Sequence, residues 1–233
     1  MLRALIFDVD GTLAETEELH RLAFNDCFAE AGLGWHWSRT DYHRLLKTTG
    51  GKERIARYVT EIRKDPESFD IAALHAEKTR LYTRLMAKGG LSLRQGIADL
   101  IKDARLNGLT VAIATTTSRP NVEALALACF GRPAEAVFDV LACGDEVAAK
   151  KPAPDVYALA LERMGLSAKD CVALEDSRNG LNSSRAAGIA CIVSPSAYTA
   201  EEDFSGALRV VPEFSELGGI AGIQGLMKEG CNV

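Results

Sequence analysis

Short apolar runs alternating with helix-length amphipathic segments constrain this chain more than any other feature. Residues 3–8, 109–114, 138–142, 171–175 and 189–193 form the apolar runs, and helical spacing fills 97–106, 120–129, 154–164 and 177–187 between them. Such alternation predicts βα units, with parallel strands covered by helices on both faces. The expected fold class is α/β, with a Rossmann-type parallel-sheet core.

A stretch of different texture separates the first run from the second. Residues 13–65 contain no proline, and His20, Phe24, Cys27, Phe28 and Ala31 share one face of a helix that Gly32 closes. Ser38 suits the cap of a second helix, Gly51 opens a third, and Ser68 or Asp70 caps a long fourth. We therefore expect residues 1–15 and 89–233 to form the α/β core, with 16–88 a helical insertion after the first strand. The Gly-rich tail beyond about 212 carries no readable pattern.

Lys and Arg number 27 against 32 Asp and Glu, a net charge of −5, which is the wrong sign for a nucleic-acid binder. A hydrophobic content of 47% is too high for a disordered chain. The apolar start meets Asp8 before it reaches the length of a signal-peptide core, and no uncharged apolar run approaches a membrane span of roughly 18 residues. The six cysteines are scattered without CxxC or zinc spacing, so reduced core thiols are expected. These features predict a cytoplasmic protein, working as a monomer, with neither nucleic acid nor membrane as partner.

Open parallel sheets build their sites beyond the carboxyl ends of the strands. Asp8-Val9-Asp10-Gly11-Thr12 leaves the first strand and Thr115-Thr116-Thr117-Ser118 the second. Gly144-Asp145 and then Lys150-Lys151-Pro152 follow the third, and Glu175-Asp176-Ser177 leaves the fourth. Acids, a hydroxyl and a lysine gathered on one edge suit a hard cation and a phosphate. An EF-hand fails, because Leu13 and Leu19 stand where Gly and Glu are required. A P-loop at Gly51-Lys52 fails as well, with Leu46 in place of the earlier glycine and Glu53 after the lysine. Neither GxSxG nor HExxH occurs. Taken singly, Asp10-Gly11 reads as a turn and Asp176 as a helix cap.

As an ordered set these residues resemble the haloacid-dehalogenase superfamily of phosphohydrolases. Asp8-x-Asp10-Gly11-Thr12 matches its first motif, Thr115 its second, Lys151 before Pro152 its third, and Glu175-Asp176 its fourth. The helical insertion falls where that family carries its C1 cap. The resemblance implies a Mg²⁺-dependent phosphatase with Asp8 as nucleophile, forming an aspartyl-phosphate, and Asp10 as general acid and base. It makes Asp8, the backbone carbonyl of Asp10, and Asp176 the Mg²⁺ ligands, with Glu175 supporting them from behind. Lys151 and Thr115 would bind the phosphate oxygens, leaving Lys150 exposed.

Substrate choice is expected in the insertion. Residues 38–64 carry an excess of cations, and Lys47-Thr48-Thr49-Gly50-Gly51-Lys52-Glu53-Arg54 joins hydroxyls, paired glycines and positive charge in one interhelical loop. Lys47, Thr49, Gly50, Gly51, Lys52 and Arg54 could grip a second phosphate, or the segment is an ordinary glycine turn. His20 alone reads as a core histidine. Thr16-Glu17-Glu18-Leu19-His20, however, is similar to a stretch of the CbbY-like and β-phosphoglucomutase-like branch, which implies that Glu17 and His20 face the site. Thr116 and Ser118 either touch substrate or cap a helix. Trp35, His36, Trp37 and His43 either border the entrance or pack helices. The nearest resemblance is to CbbY-type phosphatases, implying a small phosphorylated sugar as partner. Xylulose-1,5-bisphosphate, an inhibitor of rubisco, would be hydrolysed to xylulose 5-phosphate in support of the Calvin cycle. A phosphosugar mutase, a phosphoglycolate-type monophosphatase and a non-enzymatic binding module are the alternatives.

Overall fold

A computed structural model describes residues 1–230. The strands are β1 (Ala4–Phe7), β2 (Thr110–Ala114), β3 (Val140–Ala142), β4 (Cys171–Glu175), β5 (Ala190–Val193) and β6 (Arg209–Val210). All pair in parallel, in the order β3-β2-β1-β4-β5-β6, so the first strand lies inside the sheet. Phe7 is in register with both Ile113 and Leu174, which brings the ends of β1, β2 and β4 level. The helices are α1 (Glu17–Glu30), α2 (Arg39–Leu46), α3 (Gly51–Glu61), α4 (Ile71–Ala87), α5 (Ile97–Leu106), α6 (Arg119–Phe130), α7 (Ala134–Val137), α8 (Asp155–Met164), α9 (Arg178–Ala186) and α10 (Gly219–Gly230).

Side-chain alternation along the strands builds two unequal layers. Leu5, Phe7, Val111, Ile113, Val172, Leu174 and Ile192 join one core with residues of α5, α6 and α10. Ala4, Ile6, Ala112, Ala114, Ala173 and Cys191 face the other way, where small side chains admit Val156, Tyr157 and Ala160 of α8 and Leu181 of α9. Both faces are covered, which is why the strands read as unbroken apolar runs.

Helices α1 to α4 follow β1, and α5 then leads into β2. Ser38 caps α2 through a reciprocal capping box with Asp41, and Asp70, rather than Ser68, caps α4 by accepting from the Ala73 N–H at 2.9 Å. Phe24, Phe28, Trp37, Tyr42, Leu45, Ile55 and Val59 form a separate buried cluster among these helices. Trp35 and Trp37 thus pack helices, whereas His36 is exposed.

Two features differ from the sequence expectation. The run 138–142 yields only three strand residues, because 134–137 coils into α7 and leads into it. The Gly-rich tail contains α10, whose Ile220 and Ile223 are buried. A Cβ at Gly222 would sit 1.8 Å from the Leu217 carbonyl oxygen, so glycine here permits close approach and hides the amphipathic pattern.

Phe24 is fully buried, with its ring 4.6 Å from that of Trp37. Phe24→Ala should lower stability by about 3–5 kcal/mol, read as a shift in the urea unfolding midpoint.

Candidate active site

The level strand ends place Asp8, Thr115 and Glu175 side by side. Asp8 is fixed by its backbone N–H, which donates to the Leu174 carbonyl at 3.0 Å, and Thr115 by its own N–H to Ala142 at 3.0 Å. Lys151 comes in from the loop after β3. Its buried ammonium donates to Asp8 Oδ1 at 2.7 Å, Glu175 Oε1 at 2.6 Å and the Ala114 carbonyl at 2.9 Å. Tyr157 adds a hydroxyl bond to Glu175 Oε1 at 2.5 Å. Lys150 is not exposed as expected. It is half-buried and donates to the carbonyls of Gly144 and Val147, closing its own loop.

Asp176 is 3% exposed, and the cap of α9 is Ser177, which accepts from the Gly180 N–H at 3.2 Å. That leaves the Asp176 carboxylate for another purpose. Carboxylate oxygens of Asp8, Glu175 and Asp176 lie within 4.8 Å of one another, all buried, and Glu175 Oε2 has no hydrogen-bond partner. Burial, opposed by Lys151 and reinforced by Glu175, pushes the Asp8 carboxyl up to about 7. Burial and then Asp8 and Glu175 push Asp176 well above the ordinary carboxylate range. Ionised together, three crowded acids facing one lysine would leave two negative charges uncompensated, a hard-oxygen donor set that fits a divalent cation such as Mg²⁺. Glu175 stands within this cluster while also bonded to Lys151 and Tyr157.

Asp10 points elsewhere. Its Oδ1 accepts from Thr16 Oγ1 at 2.6 Å, His20 Nε2 at 2.9 Å and Tyr82 OH at 3.3 Å, while Oδ2 takes none of these bonds. Burial opposes ionisation, yet His20, Thr16 and Lys78 outweigh it and hold the carboxyl below its usual range. His20 stacks on Tyr82 with ring centroids 3.9 Å apart, and its Nδ1 lies 2.5 Å from the buried Lys78 ammonium. Burial and Lys78 keep the imidazole below its ordinary pKa, so a neutral ring passes a bond from Lys78 through to Asp10.

The insertion supplies the opposite wall. Glu17 accepts from Tyr42 OH at 2.7 Å, and buried Arg54 donates to the same hydroxyl at 3.1 Å while its Nε has no partner. Gly50 holds a positive φ of 92° at the start of α3, with Glu53 folded back over it. Lys47 and Lys52 are exposed and, among the described residues, take part in no ion pair. Thr49 accepts from Asn179 of α9 at 3.0 Å.

One cleft of about 1120 Å³ gathers most of the residues singled out in the sequence, but not Glu175, Trp35, His36 or Trp37. Asp8, Asp10, Glu17, His20, Thr115, Thr116, Ser118, Lys151 and Asp176 share it with Lys47, Thr49, Gly50, Gly51, Lys52 and Arg54. Ser118 occupies the cap position of α6 but makes no cap bond, and its buried hydroxyl is unpartnered. His43 also lines the cleft, beside Tyr198. Lys78 and Tyr82 escaped the sequence reading. Both lie on α4, about seventy residues from Asp10, where only their spacing on the inner helix face marks them.

A fold and site of this kind define a hydrolase class, and the family comparison agrees: residues 2–188 match the haloacid dehalogenase-like hydrolases, so the chain belongs to that family. It is 56% identical to the protein CbbY of Cereibacter sphaeroides over 223 residues, covering 96% of this chain and 97% of that one. A crystal structure of a mutant CbbY from Rhodobacter sphaeroides, in complex with xylulose-(1,5)bisphosphate, superposes with a TM-score of 0.93 at 56% identity, over 95% of this chain and 99% of that one. β-Phosphoglucomutase from Clostridium difficile shares the fold, with a TM-score of 0.83 at 20% identity over the whole of both chains.

Lys78 gives a test of the buried network. Burial, aided by Arg54 and opposed by Asp10 and Glu17, pushes its ammonium down to about 7 from 10.5. Between these values the unfolded chain binds a proton that the folded chain does not, so this group makes stability rise with pH from about 7 to 10.5. Lys78→Met should flatten that rise in urea melts recorded across the same range.

Proposed function

We propose that the chain is a Mg²⁺-dependent sugar-bisphosphate phosphatase that hydrolyses xylulose-1,5-bisphosphate to xylulose 5-phosphate. The observation that carries this reading is the two-ended cleft. One end holds the Asp8, Lys151 and Asp176 cluster, and the other holds Arg54 and Lys52 at the N-terminus of α3. A bisphosphate has an anion for each end. The likeness to CbbY, one structure of which holds that bisphosphate, supports this choice of sugar.

In this reading residues 1–15 with 89–233 are the catalytic core, and 16–88 a cap that closes over the sugar. Asp8 attacks phosphorus, forming an aspartyl-phosphate as the bond to the sugar oxygen breaks, and Asp10 delivers the proton that the leaving oxygen takes. Asp10 starts ionised, so His20 with Lys78 behind it is the donor chain that reaches it. Asp10 then takes a proton from water as the water attacks phosphorus, which frees Asp8 and inorganic phosphate. Asp8, Asp176 and the Asp10 backbone carbonyl would hold Mg²⁺, which shields the nucleophile from the anionic phosphate. Lys151 and Thr115 bind the phosphate oxygens, and Glu17, Thr116 and Ser118 contact the sugar. Buried free thiols at Cys27, Cys143, Cys171 and Cys191 support a reducing, cytoplasmic setting, where we place the enzyme as a monomer in Calvin-cycle metabolism.

A panel of sugar phosphates with Mg²⁺ should give its highest kcat/KM with xylulose-1,5-bisphosphate, releasing free phosphate. A positional isomer as product would instead make the chain a mutase. Asp8→Asn should stay folded and lose more than about 10³-fold in kcat, and retained turnover would remove the nucleophile. Lys52→Ala should cost roughly ten-fold in kcat/KM on the bisphosphate and little on a monophosphate; equal losses would remove the second phosphate seat.

A further inference from the structure

Arg94 lies in the segment by which the chain returns from α4 to α5, and its side chain is 6% exposed. Its backbone N–H donates to the Leu13 carbonyl at 2.8 Å. Its guanidinium spends four bonds on two strand-exit loops. Nη1 donates to the Gly11 carbonyl at 2.6 Å and the Ser194 carbonyl at 2.7 Å, and Nη2 to Ser194 Oγ at 2.7 Å and the Pro195 carbonyl at 3.0 Å. The ring of Phe214 lies 5.6 Å from its central carbon, and Glu15 and Glu213 stand at 3.9 and 3.7 Å.

These loops flank Asp176. Gly11 follows Asp10, has a φ of 84°, and lies so close that a Cβ on it would be 2.2 Å from Asp176 Oδ2. Ser194 leaves β5, and its N–H pairs with the Glu175 carbonyl at 2.9 Å. Two residues on, Ser196 N–H donates to Thr199 Oγ1, which donates in turn to the Asp176 carbonyl at 2.7 Å. Asp176 is thus held between the loop that carries Asp10 and the loop from β5, and the Arg94 guanidinium joins those loops. A planar fork with five N–H groups meets converging carbonyls in a way that a lysine ammonium cannot.

We propose that Arg94 is a positioning residue for the divalent-cation site, setting the gap between the Asp8–Asp10 segment and Asp176. The inference rests on the reading of that carboxylate cluster as a metal site. Outer-shell partners of this kind typically govern metal affinity by about 10–100-fold.

The test is Mn²⁺ binding to the wild-type, Arg94→Lys and Ser194→Ala proteins, measured without substrate by calorimetry and by the electron paramagnetic resonance of free Mn²⁺, alongside thermal melts. Arg94→Lys should fold and bind Mn²⁺ about ten-fold or more weakly, and Ser194→Ala, which removes one acceptor, roughly three-fold more weakly. A variant that melts earlier yet binds Mn²⁺ as the wild type does would overturn the inference and leave Arg94 a structural rivet. If Arg94→Lys does not fold, Ser194→Ala decides, and an unchanged Kd overturns the inference. Wild-type protein that binds no Mn²⁺ would remove the metal reading and the inference with it, an outcome distinct from variants that match a binding wild type.

Discussion

The buried ammonium of Lys151 is the interaction on which the rest of the site depends. It joins three neighbouring strands at their ends, through Asp8 after β1, the Ala114 carbonyl of β2 and Glu175 of β4. Carboxylates this deep in a protein are costly without a partner, and the lysine supplies one charge and three directed bonds. Those acids in turn keep the lysine protonated, although burial works against it. The compensation is incomplete. Lys151 makes no hydrogen bond or ion pair to Asp176, and the charge left over is what a divalent cation is suited to neutralise. Stability and chemistry therefore meet at one nitrogen atom.

The second constraint concerns Asp10, whose donors do not come from the sheet. Thr16 stands just before α1, His20 lies on α1, and Lys78 and Tyr82 lie on α4. The core thus provides the carboxylate, and the helical insertion sets its orientation and protonation. Tyr198, on the loop that also reaches the Asp176 carbonyl through Thr199, crosses in the other direction and donates to Glu18 at 2.7 Å. Any movement of the insertion relative to the sheet changes the environment of Asp10 directly.

Much of this was legible in the sequence, for reasons that can be stated locally. Strand ends are readable because buried parallel strands are short and apolar, so the first polar residue after each marks the working edge of the sheet. That logic finds Asp8, Thr115 and Glu175 without any tertiary information. It misjudges residues whose roles depend on distant partners. Lys150 reads as exposed, yet its ammonium donates to the carbonyls of Gly144 and Val147. Lys78, Tyr82, Tyr157 and Arg94 were unreadable, since each acts on groups remote in the chain.

Glycines explain how so many charges come so close together. A Cβ at Gly180 would lie 1.9 Å from Glu175 Oε2, one at Gly11 2.2 Å from Asp176 Oδ2, and one at Gly144 2.0 Å from the Thr116 carbonyl oxygen. Each contact is shorter than a side chain permits, so the backbone itself forms part of the wall around the acids. With no side chain to yield, the walls cannot swing aside to let the carboxylates separate. Crowding of like charge is therefore built into the main chain. It is relieved by protonation of an acid, by Lys151 and by a bound cation when one is present. The modest net charge of −5 conceals this arrangement, because the acids that matter are concentrated at one edge of the sheet while Lys47, Lys52 and Arg54 face them across the cleft. An anion with charge at both ends is drawn into such a field along its length, whereas a monoanion gains from one end only.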